Sequence, residues 1–414
     1  MLKVKNKQGE FQAQNQLQAT NADSPPRPNL YDAGHVLVAV EHYLFPSGMS
    51  VTMQNLLSHF HPASYSVVTV NNPNRLGLEA GHQAKIYPIM TTIRRYSSRL
   101  DELWRDWQLS RAVSKMVDVV AQTDAKLIIG VYPGYHFLKI ARETAKVTGV
   151  PWIAYLHDTV AEALSKTRRA GKAAELQAQV FAEANEVVVM SQGMTDFYKR
   201  NYNLNYRPLE HTYPEPIPER ITNWPAMRHA FWGGAIYNIN DRAVARVSEA
   251  LRLIDCPFLL TTTATPKALE QQGIAGGHIR TNFYPSRAAY LNALQRQGIL
   301  ILALNWPDET NQHEEELGTI FPTKTPEYLA AGRPIIVHCP EHYFLARYFR
   351  QTGAGLVVSE RSVEALAKAI RHLLADSAEA RQMRQAALAA AHQFSAQRIA
   401  SRFQAMVQAI AQSQ

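Results

Sequence analysis

At 414 residues the chain is long enough for two domains of ordinary size, and its 46% hydrophobic share suits a packed globular protein with no apolar run long enough to span a membrane. Its two cysteines, Cys256 and Cys339, form neither a disulfide framework nor a metal-binding spacing, and they fit a reducing compartment. The formal net charge of +8 favours anionic partners, but without zinc-finger spacing or an aromatic RNA-binding motif nucleic acid is set aside.

Residues 1–33 are polar, contain the cluster Pro25-Pro26-Arg27-Pro28, lack the apolar core of a secretory signal, and read as a flexible tail. His35–Val40 has the apolar character of a buried strand. Ser47 or Ser50 can then cap a helix over Val51–Phe60, and Gly48 in that turn is either a point of close ligand approach or a plain turn glycine. Further strands are expected at Tyr65–Val70, Tyr87–Met90, Leu127–Val131, Trp152–Leu156 and Glu186–Met190. Helices are expected over Thr91–Gln122, His136–Thr148, Glu162–Glu183 and Met194–Asn201. The first of these carries Arg94, Arg95, Arg99, Arg105, Arg111 and Lys115, with Trp104 and Trp107 among them. It reads either as a surface for anionic lipid or as an ordinary packed helix. His59 and His61, beside Pro62, read as structural.

Strands alternating with helices argue for a parallel, doubly wound sheet. Tyr213–Pro225, with Pro214, Pro216, Pro218 and Pro225, is the best domain boundary. A second alternation follows, with strands at Ala230–Trp232, Phe258–Thr262, His278–Phe283, Ile299–Leu304, Ile335–Val337 and Leu356–Val358. Helices are expected over Arg242–Ile254, Ser286–Arg296, Ser362–Leu374, Ala378–Gln393 and Ala396–Ile410. Asp308, Glu309, Glu314, Glu315 and Glu316 read as a solvated acidic loop.

The most informative stretch is Phe321–Val337. Thr323 or Thr325 can cap a short helix, Pro326 suits its first turn, Gly332 suits a left-handed end, and Pro334 stops it resuming. The N-terminus of such a helix, with Lys324 beside it, suits a phosphate, and Glu327 can accept bonds from a hydroxyl pair such as a ribose's. The string Pro322-Thr323-Lys324-x-x-Glu327-Tyr328-Leu329-Ala330-Ala331-Gly332-x-Pro334 resembles the nucleotide-sugar motif of GT-B glycosyltransferases, most similar to glycosyltransferase family 4. That resemblance implies that Glu327 holds the donor ribose and that the turn at Thr323 and Lys324 faces the diphosphate.

Sugar transfer requires the departing diphosphate to be stabilised, by a metal or by basic side chains and helix termini. No Asp-x-Asp triplet is present, which argues against a metal-bridged site of that type, and no Gly-x-Gly-x-x-Gly supports a dinucleotide site. Gly233-Gly234, after a short strand, allows close backbone approach. The resemblance places Arg242 on the diphosphate; a solvated helix arginine is the alternative. Ala235 stands where the family usually has an arginine. Many family members carry a second glutamate eight residues before the Glu327 position, where this chain has Thr319, so the sugar-contacting half of the site stays open. His157-Asp158 follows directly on a strand's carboxyl end, where open α/β sheets bind ligands. The resemblance implies that His157 reaches the donor sugar from across a cleft; otherwise it caps a helix or lines the domain interface. Asp158 can N-cap the helix that follows.

The expected fold is α/β, GT-B, with two Rossmann-like doubly wound domains facing a central cleft. The parts are a tail (1–33), an acceptor domain (34–213), a linker (214–227), a donor domain (228–395) and a final helix (396–414). The resemblance implies that this helix crosses back onto the first domain. It also implies transfer, with retention and without metal or cofactor, from a nucleotide diphosphate sugar donor to a saccharide or lipid-linked acceptor. Surface polysaccharide or glycolipid synthesis, in the cytoplasm with peripheral membrane contact, is the matching setting. The alternatives are a sugar-nucleotide epimerase of the same fold and a non-catalytic nucleotide-sugar-binding protein.

Overall fold

The computed structural model describes residues 27–43, 47–71, 84–91, 99–221, 228–284, 286–375 and 378–411. The tail before residue 27, Arg94 and Arg95, and the 222–227 end of the linker lie outside the described residues.

The first domain is built on seven strands: β1 (His35–Ala39), β2 (Tyr65–Asn71), β3 (Lys85–Thr91), β4 (Ala125–Tyr132), β5 (Trp152–Leu156), β6 (Glu186–Val189) and β7 (Arg207–Pro208). All pair in parallel, in the order β3-β2-β1-β4-β5-β6-β7. The central strands are runs of Val, Ile and Leu because helices cover both faces. Ser47 caps α1 (Gly48–Leu57), its hydroxyl accepting the Ser50 amide at 3.3 Å. The long basic helix is α2 (Arg99–Thr123), and α3 (Tyr135–Thr148) closes on Gly149 in the left-handed region. The single helix expected over Glu162–Glu183 is two, α4 (Ala161–Leu164) and α5 (Ala170–Glu183). The hydroxyls of Ser165 and Thr167 donate back to the carbonyls of Glu162 and Leu164 and end the first one. Ser191 caps α6 (Gln192–Tyr202).

The second sheet holds β8 (Ala230–Gly233), β9 (Phe258–Thr261), β10 (Ile279–Thr281), β11 (Ile299–Ala303), β12 (Ile335–His338) and β13 (Leu356–Val358), again all parallel, in the order β10-β9-β8-β11-β12-β13. Side chains alternate across it. Ile299, Ile301 and Ala303 enter one core with Trp232 and Val244, while Leu300 and Leu302 enter the other with Phe231 and Tyr328. The covering helices include α7 (Asp241–Leu253), α8 (Pro266–Gln271), α9 (Arg287–Leu294), α10 (Glu314–Thr319), α11 (Thr325–Ala330), α12 (Phe344–Thr352), α13 (Val363–Leu374) and α14 (Ala378–Ala391). Helix α10 replaces part of the acidic loop expected there, and Glu316 on it is buried rather than solvated.

The chain passes between the domains twice, and the passes run side by side. The Tyr213 amide donates to the Phe394 carbonyl (2.8 Å), and the Ala396 amide donates to the Tyr213 carbonyl (3.1 Å). The last helix, α15 (Ala396–Ala411), sets Ile399, Phe403 and Val407 into the first domain's core. Elsewhere the domains also touch through polar groups, Lys166 Nζ donating to the Gln312 carbonyl (2.8 Å) and Ser191 Oγ to that of Thr319 (3.2 Å), and where Gly193 lies against the Phe344 side chain. No helix among the described residues is long and apolar enough to cross a membrane.

Candidate active site

Both sheets reverse their strand order next to their first strand, between β1 and β4 and between β8 and β11. Such switch points open crevices at the carboxyl ends of strands, where α/β proteins bind ligands. The two crevices face each other: a Cβ on Gly48, after β1, would come 2.9 Å from Thr323 Cγ2, in the second domain. Gly48 therefore marks a point where the domains meet too closely for a side chain.

The second-domain wall is made by the turn after β8 and by α11. Gly234 has φ of 116°, open to glycine and strained for other residues. A Cβ there would lie 3.7 Å from Lys324 Nζ, and a Cβ on Gly233 would collide with the Tyr290 hydroxyl. The turn's amides are already used: Gly233 N–H donates to Tyr328 Oη (2.9 Å) and Gly234 N–H to the Thr261 carbonyl (2.8 Å). The glycine pair thus contributes space, with its own amides turned inward. Lys324 Nζ sits 3.2 Å from the centroid of the Trp232 ring, and burial lowers its pKa to about 7, partly offset by the negative charge of Glu327.

Capping differs from expectation. Lys324 occupies the cap position of α11 and no side chain bonds there. Thr323 is exposed, and Thr325 lies inside the helix with its hydroxyl buried and without a partner among the described residues. Pro326 stands in the first turn, and Gly332 is left-handed with φ of 59°. Glu327 is buried and ion-paired with Arg287 of α9. Arg242 lies exposed in the first turn of α7, and its side chain has no polar partner among the described residues.

The first-domain wall centres on His157, whose backbone amide donates to the Tyr132 carbonyl at 2.9 Å. Its ring packs on Tyr155 (4.5 Å between centroids), and neither ring nitrogen has a partner among the described residues. Burial, with His211 nearby, pushes its pKa well below the usual value, so the imidazole is neutral. His157 caps no helix. Nor does Asp158, because α4 begins after Val160 with no side-chain cap.

Glu316 was missed from the sequence. It stands one helical turn before Thr319, and its Oε2 accepts the Thr159 amide (3.1 Å) and the Thr159 hydroxyl. Burial, then the adjacent Asp158, push its carboxyl well above the usual range, and burial raises Asp158 too. Arg287 and Tyr290 were missed as well. All three depend on contacts between distant segments that leave no local pattern.

The fold is GT-B, with two parallel-sheet Rossmann-like domains facing a crevice between them. Residues 273–389, the greater part of the second domain, match the family described as Glycosyl transferases group 1. No curated protein sequence matches the chain. Among solved structures it is similar to sucrose-phosphate synthase from Thermosynechococcus elongatus, at 15% identity and a TM-score of 0.67, over 92% of this chain and 100% of that one. It is similar to Anabaena HepE in complex with UDP and glucose, at 14% identity and a TM-score of 0.67, over 90% and 99% of the two chains. It is also similar to a Listeria monocytogenes protein assigned as a UDP-N-acetylglucosamine 2-epimerase, at 12% identity and a TM-score of 0.59, over 92% and 97%.

Proposed function

We propose that this protein transfers a glycosyl unit from a nucleotide diphosphate sugar to an acceptor hydroxyl. The observation that supports it is the convergence of Lys324, the Cβ-free turn at Gly233 and Gly234, and the buried Glu327 carboxylate at the carboxyl end of the second sheet, with the imidazole of His157, unpartnered among the described residues, on the first-domain wall. In this reading Glu327 receives the ribose hydroxyls. Lys324 meets the charge that builds on the departing diphosphate, without a metal. Arg242, exposed at the start of α7, is free to swing onto the same phosphates. His157 offers a ring nitrogen to a sugar hydroxyl from the first domain, which also receives the acceptor. Retention of configuration, a family 4 type of site, and a saccharide or lipid-linked acceptor in surface polysaccharide or glycolipid synthesis follow from the resemblance of the motif. The UDP in the HepE structure makes UDP-sugars the first donors to try.

Epimerisation of a nucleotide sugar is the second reading, favoured by the epimerase-assigned neighbour, while Thr319 in place of a glutamate leaves room for a protein that binds the nucleotide sugar without turnover. A panel of UDP-, GDP- and ADP-sugars, with product analysis, separates the readings. Transfer to an added acceptor supports the first, and an epimerised donor without acceptor supports the second. Binding without turnover would mean that the site only holds the nucleotide.

A further inference from the structure

The carboxylate at the centre of the donor motif is held from outside that motif. Glu327 is buried, and one of its oxygens, Oε1, pairs with Arg287 Nη2. Tyr290, one turn along the same helix, directs its hydroxyl to the same carboxylate. Helix α9 is anchored by Ser286, whose hydroxyl accepts the Ala289 amide at 3.2 Å, so Arg287 and Tyr290 reach Glu327 from one face. The Arg287 guanidinium carbon also lies 5.6 Å from the centroid of the Tyr290 ring.

Among the described residues, the other charged or titratable groups facing Glu327 are Lys324 and Tyr328 on its own stretch and Tyr213 at the domain crossing. Lys324 Nζ lies against Trp232, and Tyr328 Oη receives the Gly233 amide. Arg287 is therefore the cation in direct contact. An isolated buried carboxylate is costly, and this pair offsets that cost. The Glu327 side chain is 7% exposed and that of Arg287 39%, so the carboxylate is the buried member of the pair.

Resting on the donor-site reading above, we propose that Arg287 is a positioning residue for nucleotide recognition: with Tyr290 it holds the Glu327 carboxylate in one orientation, so that its remaining acceptor positions meet the ribose hydroxyls. A carboxylate fixed in this way requires a hydroxyl at one place and rejects a ribose that lacks it.

The test is calorimetry of the full chain with UDP and 2′-deoxy-UDP, or with the guanosine or adenosine pair if either binds tighter. The proteins are wild type, Glu327→Ala, Arg287→Ala, Arg287→Lys and the double alanine variant, each checked for folding by thermal unfolding. Arg287→Gln replaces Arg287→Ala if the alanine variant does not fold. Arg287→Ala should weaken the ribonucleotide roughly 5- to 20-fold and reduce its preference over the 2′-deoxy form by a similar factor. Arg287→Lys should recover most of that preference, and the double variant should bind no more weakly than Glu327→Ala. An equal loss for both nucleotides, no rescue by lysine, or tighter binding by Arg287→Ala would overturn the proposal while leaving the donor site in place. A folded Glu327→Ala with unchanged affinity would overturn the donor-site reading itself, and this proposal with it.

Discussion

Thr159, three residues past the end of β5, donates both its backbone amide (3.1 Å) and its hydroxyl to a single carboxylate oxygen of Glu316, in the second domain. The contact ties the two domains together at the cleft, beside His157. Asp158 adds a second carboxyl next to the first, and Glu162, Tyr132, Tyr198 and Tyr237 surround the pair.

This arrangement makes stability depend on pH. Burial raises the Glu316 carboxyl above its unfolded value, and Asp158 beside it raises it further. The folded state then binds more protons than the unfolded chain between those two values. The stabilisation is complete below the ordinary carboxylate range and is lost as pH rises through the raised value. Glu316→Gln keeps an acceptor for Thr159 but cannot ionise, so it lacks this contribution. The Tm of the wild type should therefore fall relative to that of Glu316→Gln between about pH 5 and pH 8, while the buried His157, His211 and His338, whose lowered pKa values act in the opposite sense, affect both proteins alike. An equal slope in both proteins would place the titration elsewhere.

Lys324 should make nucleotide binding pH-dependent with the same sign and a different cause. Its ammonium is lowered to about 7 by burial, so its charge is present below neutrality and fades above it. Affinity for a nucleoside diphosphate should therefore fall as pH rises past neutrality. Lys324→Arg, which stays charged, should bind with little pH dependence. Lys324→Ala should lose about 10-fold or more at pH 6 for the diphosphate and far less for the nucleoside. Equal losses for the two ligands would argue against a phosphate contact.

Glu327→Ala should weaken the nucleoside diphosphate itself by roughly 10- to 150-fold, since a charge-assisted bond to ribose is worth roughly 1.5–3 kcal/mol. Calorimetry against the free diphosphate, without a sugar, checks this directly.

His157 lies on the opposite wall and should behave differently. His157→Ala is expected to lower turnover by about 10²-fold while leaving nucleoside diphosphate affinity nearly unchanged. Because burial keeps the imidazole neutral, the pH–rate profile should show no limb near the usual histidine pKa. A variant that loses nucleotide affinity instead would move His157 out of the proposed sugar-contacting role.

The exposed face of α2 carries Leu100, Leu103, Trp104 and Trp107, with the Arg111 guanidinium 4.5 Å from the Trp107 ring centroid. Basic groups beside interfacial aromatics suit an anionic bilayer. Co-sedimentation with vesicles containing phosphatidylserine at low salt should pull down the wild type. Trp104→Ala/Trp107→Ala should lose most of this binding. Equal pelleting with neutral vesicles would remove the preference for anionic lipid, and no pelleting with either would remove the membrane role.

Local chemistry in the sequence was enough for the architecture and for the ends of α11. Runs such as Ile299–Ala303 and Ile335–His338 declare buried strands because every residue must face one core or the other. Pro326, Gly332 and Pro334 mark the ends of α11 through backbone preferences that act within a few residues. What a residue meets from another segment has no such signature. Thr319 occupies the spacing where a glutamate was sought, and a carboxyl one helical turn earlier, that of Glu316, is the one that meets Thr159 of the first domain. Its partner, Thr159, lies 157 residues away and is brought there by the packing of two separate sheets. Arg287 reaches Glu327 across 40 residues in the same manner. Periodicity and turn chemistry are short-range and so can be read along the chain. The charge balance of a buried carboxylate is set by whatever folding packs against it, and only the tertiary structure decides that.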